Sequence, residues 1–217
     1  MRIAALSGGL STPSTTRLLA DQLADAAASA LRAAGNEVEV DVVELRPIAH
    51  ELTDALLTGF VGEQLAEAVR VVSRADALVA VSPVFSASFS GLFKTFFDVL
   101  EPEVLAGKPV VLGATAGTAR HSLVLEHALR PLFAYLKAVP VPTAVFAASE
   151  DFGPTADGSI ERRAGRAARE LTVMLGVGAG AGHVGGERVL AVRRERTLDQ
   201  EFAEPTPFAE RLARVGQ

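Results

Sequence analysis

Hydroxyl-bearing residues and glycines are concentrated near the start of the chain, in residues 7–16, directly after the apolar residues 3–6. Ser11, Ser14 and Thr16 supply hydroxyl groups there, and the segment contains no lysine. A strand that runs through such a turn into a helix places backbone N–H groups and the positive end of the helix beside a bound phosphate. The pattern therefore predicts a site for a terminal phosphate. Its alternative is an ordinary turn in which Ser14 only caps the helix.

Two later segments have the composition of a surface that binds a flat ring. In residues 82–94, Pro83 stiffens the chain, and the next side chains, Val84 and Phe85, offer apolar faces to a ring. Residues 115–121 are small enough for their backbone to lie against a planar ligand. Together with residues 7–16, these segments predict a site with a phosphate end and a ring end.

The elements that position these segments follow from the hydrophobic pattern. Short branched apolar runs alternate with helical patterns, which predicts a parallel α/β sheet, and runs such as residues 77–81 suit strands covered on both faces. Ligands bind beyond the carboxyl ends of the strands in such a sheet, so the three segments meet at one edge. The predicted strands are residues 2–7, 37–43, 77–82, 109–114 and 139–147. Four helices are predicted: one that ends at Gly35, one over residues 92–100, one over residues 122–137 that Pro131 interrupts, and one over residues 158–175.

Length and composition favour one domain with an appendage. Of the 217 residues, 49% are hydrophobic; we assign residues 1–186 to the domain and residues 187–217 to a C-terminal arm or tail. A formal G-x-G-x-x-G match at Gly180, Gly182 and Gly185 follows a helix instead of a strand. We therefore interpret it as a flexible hinge and not as a dinucleotide fingerprint.

Several classes of function are disfavoured by composition. A net charge of −5 argues against a nucleic-acid partner, and the absence of cysteine excludes disulfides and thiolate chemistry. No apolar run reaches the roughly 18 residues of a membrane span, so we expect no membrane association and a cytoplasmic protein. The histidines His50, His127 and His183 show no metal-binding spacing, which predicts no metal site.

These segments resemble the NAD(P)H-dependent FMN reductases of the flavodoxin-like superfamily over roughly residues 1–152. Residues 82–98 are similar to the family's pattern of proline, aromatic, Ser/Gly and Lys-x-x-x-Asp, with Phe85 where many members have tyrosine. Similarity continues through residues 114–121 and 127–132. In the first segment, Gly9 and Ser11 stand where relatives often carry serine and arginine. The chain is most similar to reductases that supply reduced FMN to a separate monooxygenase of the luciferase-like or alkanesulfonate type.

The resemblance implies a flavodoxin-like three-layer sandwich with a five-stranded parallel sheet of order 2-1-3-4-5, FMN and NADPH (or NADH) as ligands, and a homodimer or homotetramer. Residues 47–59 are a candidate interface. Hydride transfer needs no acid–base residue, because the protein supplies position and electrostatics. The backbone near Ser86 and Gly117 is expected at the flavin O4/N5 edge, with help from Thr118. The predicted FMN-binding residues are Gly9, Ser11, Ser14, Thr16, Pro83, Val84, Phe85, Ser86, Thr115, Ala116, Gly117 and Thr118.

Other interpretations remain open at this point. Arg120 and His121 are candidate contacts for NAD(P)H, against a solvent-facing arginine and a capping or interface histidine. Lys94 and Asp98, four residues apart, are predicted to form a structural ion pair. An NAD(P)H quinone or azo reductase with bound FMN is the main alternative function. A flavodoxin-type electron carrier is the other, although a single tyrosine, no tryptophan and a mild acidic excess weaken it.

Overall fold

A parallel β-sheet forms the centre of the computed structural model, which describes residues 1–101, 103–152 and 158–177. The order is β2-β1-β3-β5, and two short strands, β6 and β7, both pair with β5 and share the fifth position. The predicted order 2-1-3-4-5 is therefore confirmed. The strands are β1 (Arg2–Ser7), β2 (Glu39–Glu44), β3 (Ala77–Phe85), β4 (Ser88–Phe89), β5 (Pro109–Ala116), β6 (Val139–Pro140) and β7 (Val145–Ala148).

Helices connect the strands and cover both faces of the sheet. They are α1 (Thr15–Ala33), α2 (Ala49–Thr58), α3 (Glu63–Arg74), α4 (Gly91–Asp98), α5 (Arg130–Tyr135) and α6 (Ser159–Met174). The predicted interruption near Pro131 is confirmed, because a π-helical turn at Leu125–Leu129 precedes α5, whose first turn contains the proline. The predicted helix over residues 158–175 corresponds to α6.

Two hydrophobic cores lie on opposite faces of the sheet, which confirms the three-layer sandwich. Alternate residues of β1 point to opposite sides, so Ile3 and Ala5 pack in the core under α1 and α6, whereas Ala4 and Leu6 pack under α2 to α5. Burial on both faces explains why these strands are continuously apolar. A cluster of phenylalanines packs in the core under α2 to α5, where the ring centroids of Phe93 and Phe97 lie 4.9 Å apart.

The prediction of one continuous fifth strand over residues 139–147 is wrong, because the structure has two short strands there. Residues 141–144 separate β6 from β7, and Pro142 has no N–H to give to the sheet. The N–H of Val141 still donates to the Val110 carbonyl in β5, at 2.9 Å, and side chains bind the other backbone groups of this stretch. The Arg130 guanidinium donates to the carbonyl oxygens of Val141 and Pro142, both at 3.1 Å, and the N–H of Thr143 donates to Glu170 at 2.7 Å.

Opposite edges of the sheet have different roles. At the amino edge, the ammonium of Lys108 donates to the carbonyl oxygens of Val72, Ser73 and Ala75 at 2.5, 2.9 and 2.7 Å. These carbonyls end α3 and lack intrahelical partners, so the lysine caps that helix. Burial lowers the pKa of Lys108, and the nearby Asp76 carboxylate opposes that effect. The carboxyl edge is left free for the loops that contain the predicted site residues.

Candidate functional site

An open cleft of about 410 Å³ lies at the carboxyl ends of β1, β3 and β5. This is the position that the sheet order predicts for a ligand, and the volume falls in the range of about 300–1,000 Å³ usual for small-molecule sites. None of the described lining residues carries a charge. They are Leu10, Ser11, Thr15, Thr16, Pro83, Val84, Phe85, Thr115, Ala116, Gly117 and Ser149.

The segment between β1 and α1, residues 8–14, forms one wall and is called the first loop here. Ser14 is the N-cap of α1, and its hydroxyl oxygen accepts the N–H of Arg17 at 3.2 Å. Gly9 lies against that hydroxyl so closely that a Cβ built on it would stand 2.1 Å from the oxygen. The capping role of Ser14 is thus present, and its contact with a phosphate stays a prediction.

Hydroxyl groups of the first loop and of the first turn of α1 line the cleft beside the cap. Ser11 and Thr15 are exposed, whereas Thr16 is buried and its hydroxyl lies 2.7 Å from that of Thr115 at the end of β5. The first turn of a helix presents unpaired N–H groups and a partial positive charge. This end of the cleft can therefore bind an anion through N–H and O–H donors.

The cation nearest in sequence to these hydroxyls, Arg17, is bound to carboxylates. Its Nε lies 2.8 Å from Asp21 and its NH1 group 2.9 Å from Glu44. The hydrogen bond to Asp21 raises the pKa of Arg17 above its ordinary value. The Arg17 guanidinium is thus occupied by carboxylates and is not offered to a phosphate in the cleft. The basic side chain that contacts the first loop is Arg46, whose guanidinium donates to the Thr12 hydroxyl.

The second wall is a tight hairpin formed by β3 and β4. Val84 pairs with Phe89, and Phe85 pairs with Ser88. The two residues of the turn, Ser86 and Ala87, have φ values of 49° and 65°. Positive φ at both positions is the type I′ geometry that matches the twist of a hairpin, and it is uncommon for residues other than glycine.

Buried serines hold the base of this hairpin. The Ser82 hydroxyl accepts the N–H of Ser90 at 3.0 Å, and the Ser90 hydroxyl accepts the N–H of Phe93 at 3.2 Å, which caps α4. The hairpin is therefore fixed to both β3 and α4. It presents Phe85, whose side chain is 47% exposed, as an apolar surface at the cleft.

The end of β5 forms the third wall. A Cβ built on Gly117 meets nothing within 4 Å, so the backbone there faces open space that a flat ligand can approach. Beyond Thr118, Arg120 and His121 lie exposed on the short 3-10 turn Ala119–His121. In the described part of the chain, neither side chain makes a hydrogen bond or ion pair, so both side chains can reach a ligand. Their contact with NAD(P)H stays a prediction.

Most of the predicted FMN-binding residues come together at the cleft. Eight of them line it: Ser11, Thr16, Pro83, Val84, Phe85, Thr115, Ala116 and Gly117. The other four, Gly9, Ser14, Ser86 and Thr118, belong to the same loops but do not line the cleft. Sequence reasoning missed Leu10, Thr15 and Ser149. Ser149 follows β7, so the rule that ligands bind beyond strand ends was the signal that could have found it.

Four further predictions concern an ion pair on α4, a metal site, a membrane-spanning helix and the C-terminal arm. Lys94 and Asp98 form the predicted ion pair on the surface of α4. In the described residues, no group of three or more histidine and acidic side chains is arranged to hold a metal ion. No described helix combines the length and the apolar composition needed to cross a membrane. The hinge glycines and the arm at residues 187–217 lie outside the described residues.

Comparison with known proteins identifies similar sequences and folds. Residues 1–153 match the model of a family described as NADPH-dependent FMN reductase. The chain is 39% identical over 151 residues to the NADH-dependent FMN reductase SfnE of Pseudomonas putida, covering 70% of this chain and 78% of that protein. It is 37% identical over 153 residues to an FMN reductase (NADPH) of Pseudomonas aeruginosa, with coverage of 70% and 78%.

A solved structure extends the likeness to the fold. An oxidoreductase from Corynebacterium diphtheriae superposes with a TM-score of 0.77 and 45% sequence identity, covering 82% of this chain and 98% of that one.

Proposed function

The chain belongs to the NADPH-dependent FMN reductase family and is an oxidoreductase of FMN and NAD(P)H; on this premise we propose how its cleft is used. FMN binds there as a diffusible substrate, is reduced, and leaves for a separate flavin-dependent monooxygenase. The observation that carries the proposal is the cleft itself. It joins a hydroxyl-rich helix N-terminus to an apolar hairpin and a bare backbone edge.

The phosphate end is proposed at the start of α1. Ser11, Thr15 and Thr16 supply O–H donors, and the first turn of the helix supplies N–H groups. Each hydrogen bond to a charged group contributes about 1.5–3 kcal/mol, so a few of them can bind a phosphomonoester without a basic side chain. The lack of a charge among the described lining residues supports binding that is strong enough for recognition and still reversible.

The ring end is proposed between the hairpin and the end of β5. Pro83, Val84 and Phe85 give an apolar surface on one side, and the open face of Gly117 gives a backbone edge on the other. When bound, FMN supplies the ring nitrogen N5 that accepts hydride from reduced nicotinamide. The protein aligns the two rings, excludes water with apolar side chains, and offers N–H groups near Ser86 and Gly117 where negative charge develops.

Release of the reduced product is supported by the openness of the site. Phe85 is almost half exposed, and Ser11 and Thr15 are exposed as well, so no described side chain closes over the cleft. A permanently bound flavin in an electron carrier would be more completely enclosed. The quinone or azo reductase is the second candidate, because the same exposed hairpin leaves room for a second flat acceptor.

We also propose that the chain forms a homodimer or homotetramer. Apolar side chains at the end of α2 and just after it support this, since Leu57 and Phe60 are 77% and 71% exposed. Exposed apolar side chains that adjoin one another mark interaction surfaces. The mass in solution, measured by light scattering, for the wild type and for Leu57→Ser with Phe60→Ser tests this assignment, and an unchanged mass argues against this surface.

The experiment that tests the proposed activity measures the initial rate of NADPH oxidation, with and without added FMN, then with NADH and with a quinone. A rate that depends on free FMN and saturates establishes a flavin reductase. Anaerobic ultrafiltration then shows whether reduced FMN passes into the filtrate, as release to a partner requires. A rate that needs the quinone, with flavin retained on the protein, supports the second candidate.

A further inference from the structure

The bond between Thr16 and Thr115 joins the two ends of the cleft. Thr16 lies in the first turn of α1 and Thr115 near the end of β5, 99 positions apart, with their hydroxyl oxygens 2.7 Å from each other. The side chains are 3% and 4% exposed. In the described residues, no other hydrogen bond between side chains connects α1 with β5.

A count of protons shows that the pair is incomplete. Two hydroxyl groups bring two protons, and the bond between them uses one. In the described part of the chain, neither hydroxyl has a second hydrogen-bond partner, and both residues line the cleft. Buried polar groups are normally satisfied, so the second proton is available for an acceptor in the cleft.

The direction of the bond decides which threonine holds that proton. Either oxygen can be the donor in the structure as it stands. An anion at the start of α1 requires donors, because the helix end attracts it through its N–H groups and partial positive charge. Its presence favours the arrangement in which Thr115 donates to Thr16 and Thr16 donates to the anion.

We propose that Thr115 is a positioning residue that orients the Thr16 hydroxyl toward the phosphate and so selects phosphorylated flavins over riboflavin. This inference rests on the proposed function. Chains of hydrogen bonds strengthen one another, and Thr115 precedes Ala116 and Gly117, which border the ring end. Phosphate binding therefore also fixes the strand end that lies against the ring.

The test compares dissociation constants for FMN and riboflavin, measured by quenching of flavin fluorescence, in Thr115→Val, Thr115→Ser and Thr16→Val. The ratio of the riboflavin constant to the FMN constant isolates the phosphate. We expect Thr115→Val to lower this ratio about tenfold, the size of one hydrogen bond to a charged group, and Thr115→Ser to restore most of it. In the Thr16→Val background, Thr115→Val should leave the ratio unchanged.

Thr172→Val is the matched control, because Thr172 is also buried, its hydroxyl donates to the Ala168 carbonyl within α6, and it does not line the cleft. Both dissociation constants should stay at their wild-type values. If Thr115→Val does not fold, Thr115→Ala removes the same hydroxyl and is measured in its place.

Three results would overturn the inference. An equal weakening of FMN and riboflavin binding by Thr115→Val gives Thr115 a merely structural role. A loss of discrimination that persists in the Thr16→Val background shows direct contact between Thr115 and the phosphate. If the wild type binds and reduces FMN and Thr115→Val leaves both dissociation constants unchanged, this inference alone is wrong. If the wild type binds neither flavin, the proposed function is wrong as well.

Discussion

Gly9 and Ser14 fit together only because Gly9 has no side chain, since a Cβ at that position would stand 2.1 Å from the Ser14 hydroxyl oxygen. Oxygen and carbon cannot approach so closely, and the oxygen is held in place as the cap of α1 by the N–H of Arg17. The shape of the first loop thus depends on the glycine at position 9.

Gly9→Ala is expected to displace Ser14 and weaken FMN binding by about tenfold or more, because overpacking costs about 1–3 kcal/mol. Titration of flavin fluorescence measures the effect. Gly91→Ala is the control, since a Cβ on Gly91 at the start of α4 meets nothing within 4 Å. Equal affinities in the two variants would show that the first loop does not bind the flavin.

Replacing both Ser14 and Thr16 by alanine should weaken FMN binding about 100-fold and riboflavin binding less than about threefold. The expected difference corresponds to two hydrogen bonds to the phosphate, which riboflavin lacks. Dissociation constants for the two flavins give the comparison. Thr172→Ala is the control for the loss of a buried helix hydroxyl, because the Thr172 hydroxyl donates to the Ala168 carbonyl within α6 and Thr172 does not line the cleft. A similar loss for both flavins would place the phosphate elsewhere.

Alanine at Gly113, within β5, and at Gly117, just after β5, should affect stability and flavin binding in opposite ways. A Cβ on Gly113 would lie 2.9 Å from Val81 and 3.0 Å from Leu23, so Gly113→Ala should destabilise the fold by about 1–3 kcal/mol. Gly117→Ala meets open space and should keep its stability but weaken flavin binding about tenfold. Urea denaturation and flavin titration on both variants measure the two effects. Unchanged flavin affinity in Gly117→Ala would contradict the proposed ring end.

Lys108→Met should lower the free energy of unfolding by about 2–4 kcal/mol, because it leaves the carbonyl oxygens at the end of α3 without their buried donor. Methionine retains the length of the aliphatic chain. Lys94→Met provides the control, since Lys94 forms only an exposed ion pair with Asp98, and such pairs contribute little. The measurement is urea denaturation at neutral pH.

The same variant tests the lowered pKa of Lys108. Because the folded pKa lies below the unfolded value of 10.5, the unfolded chain binds more protons between these two values. The contribution of Lys108 to the free energy of unfolding therefore rises with pH between these two values. The free energy of unfolding of the wild type should exceed that of Lys108→Met by a growing amount as pH approaches 10.5. If this difference in free energy of unfolding narrows instead, the three carbonyl oxygens stabilise the charged ammonium by more than burial destabilises it, and the folded pKa is not lowered.

The sheet could be predicted from sequence because burial on both faces leaves a simple apolar signal. The ends of the elements were harder to predict. β3 extends to Phe85, three residues beyond the prediction, because its last residues pair in a hairpin whose turn, Ser86 and Ala87, lacks the glycine or asparagine that usually marks one. The fifth strand divides because side chains of Arg130 and Glu170 bind its backbone.

The site was predictable to the extent that its residues follow strands. Eight predicted residues line the cleft because each segment leaves the same edge of the sheet. Contacts between distant side chains could not be predicted. The bond from Thr16 to Thr115 spans 99 positions, and that from Lys108 to the end of α3 depends on how a helix meets a strand. Neither has a local sequence pattern.

The hairpin of β3 and β4 also bears on how fast the flavin exchanges. Its two paired positions, its buried serines and its two-residue turn hold the backbone of Val84 and Phe85 in one conformation. Ordering a mobile side chain on binding costs about 0.5–1.5 kcal/mol, and a surface already ordered avoids that entropy loss. Association then requires no rearrangement of the hairpin, and dissociation need not break it. We therefore expect a short residence time for the reduced product, because the wall is formed in advance and the entrance is open.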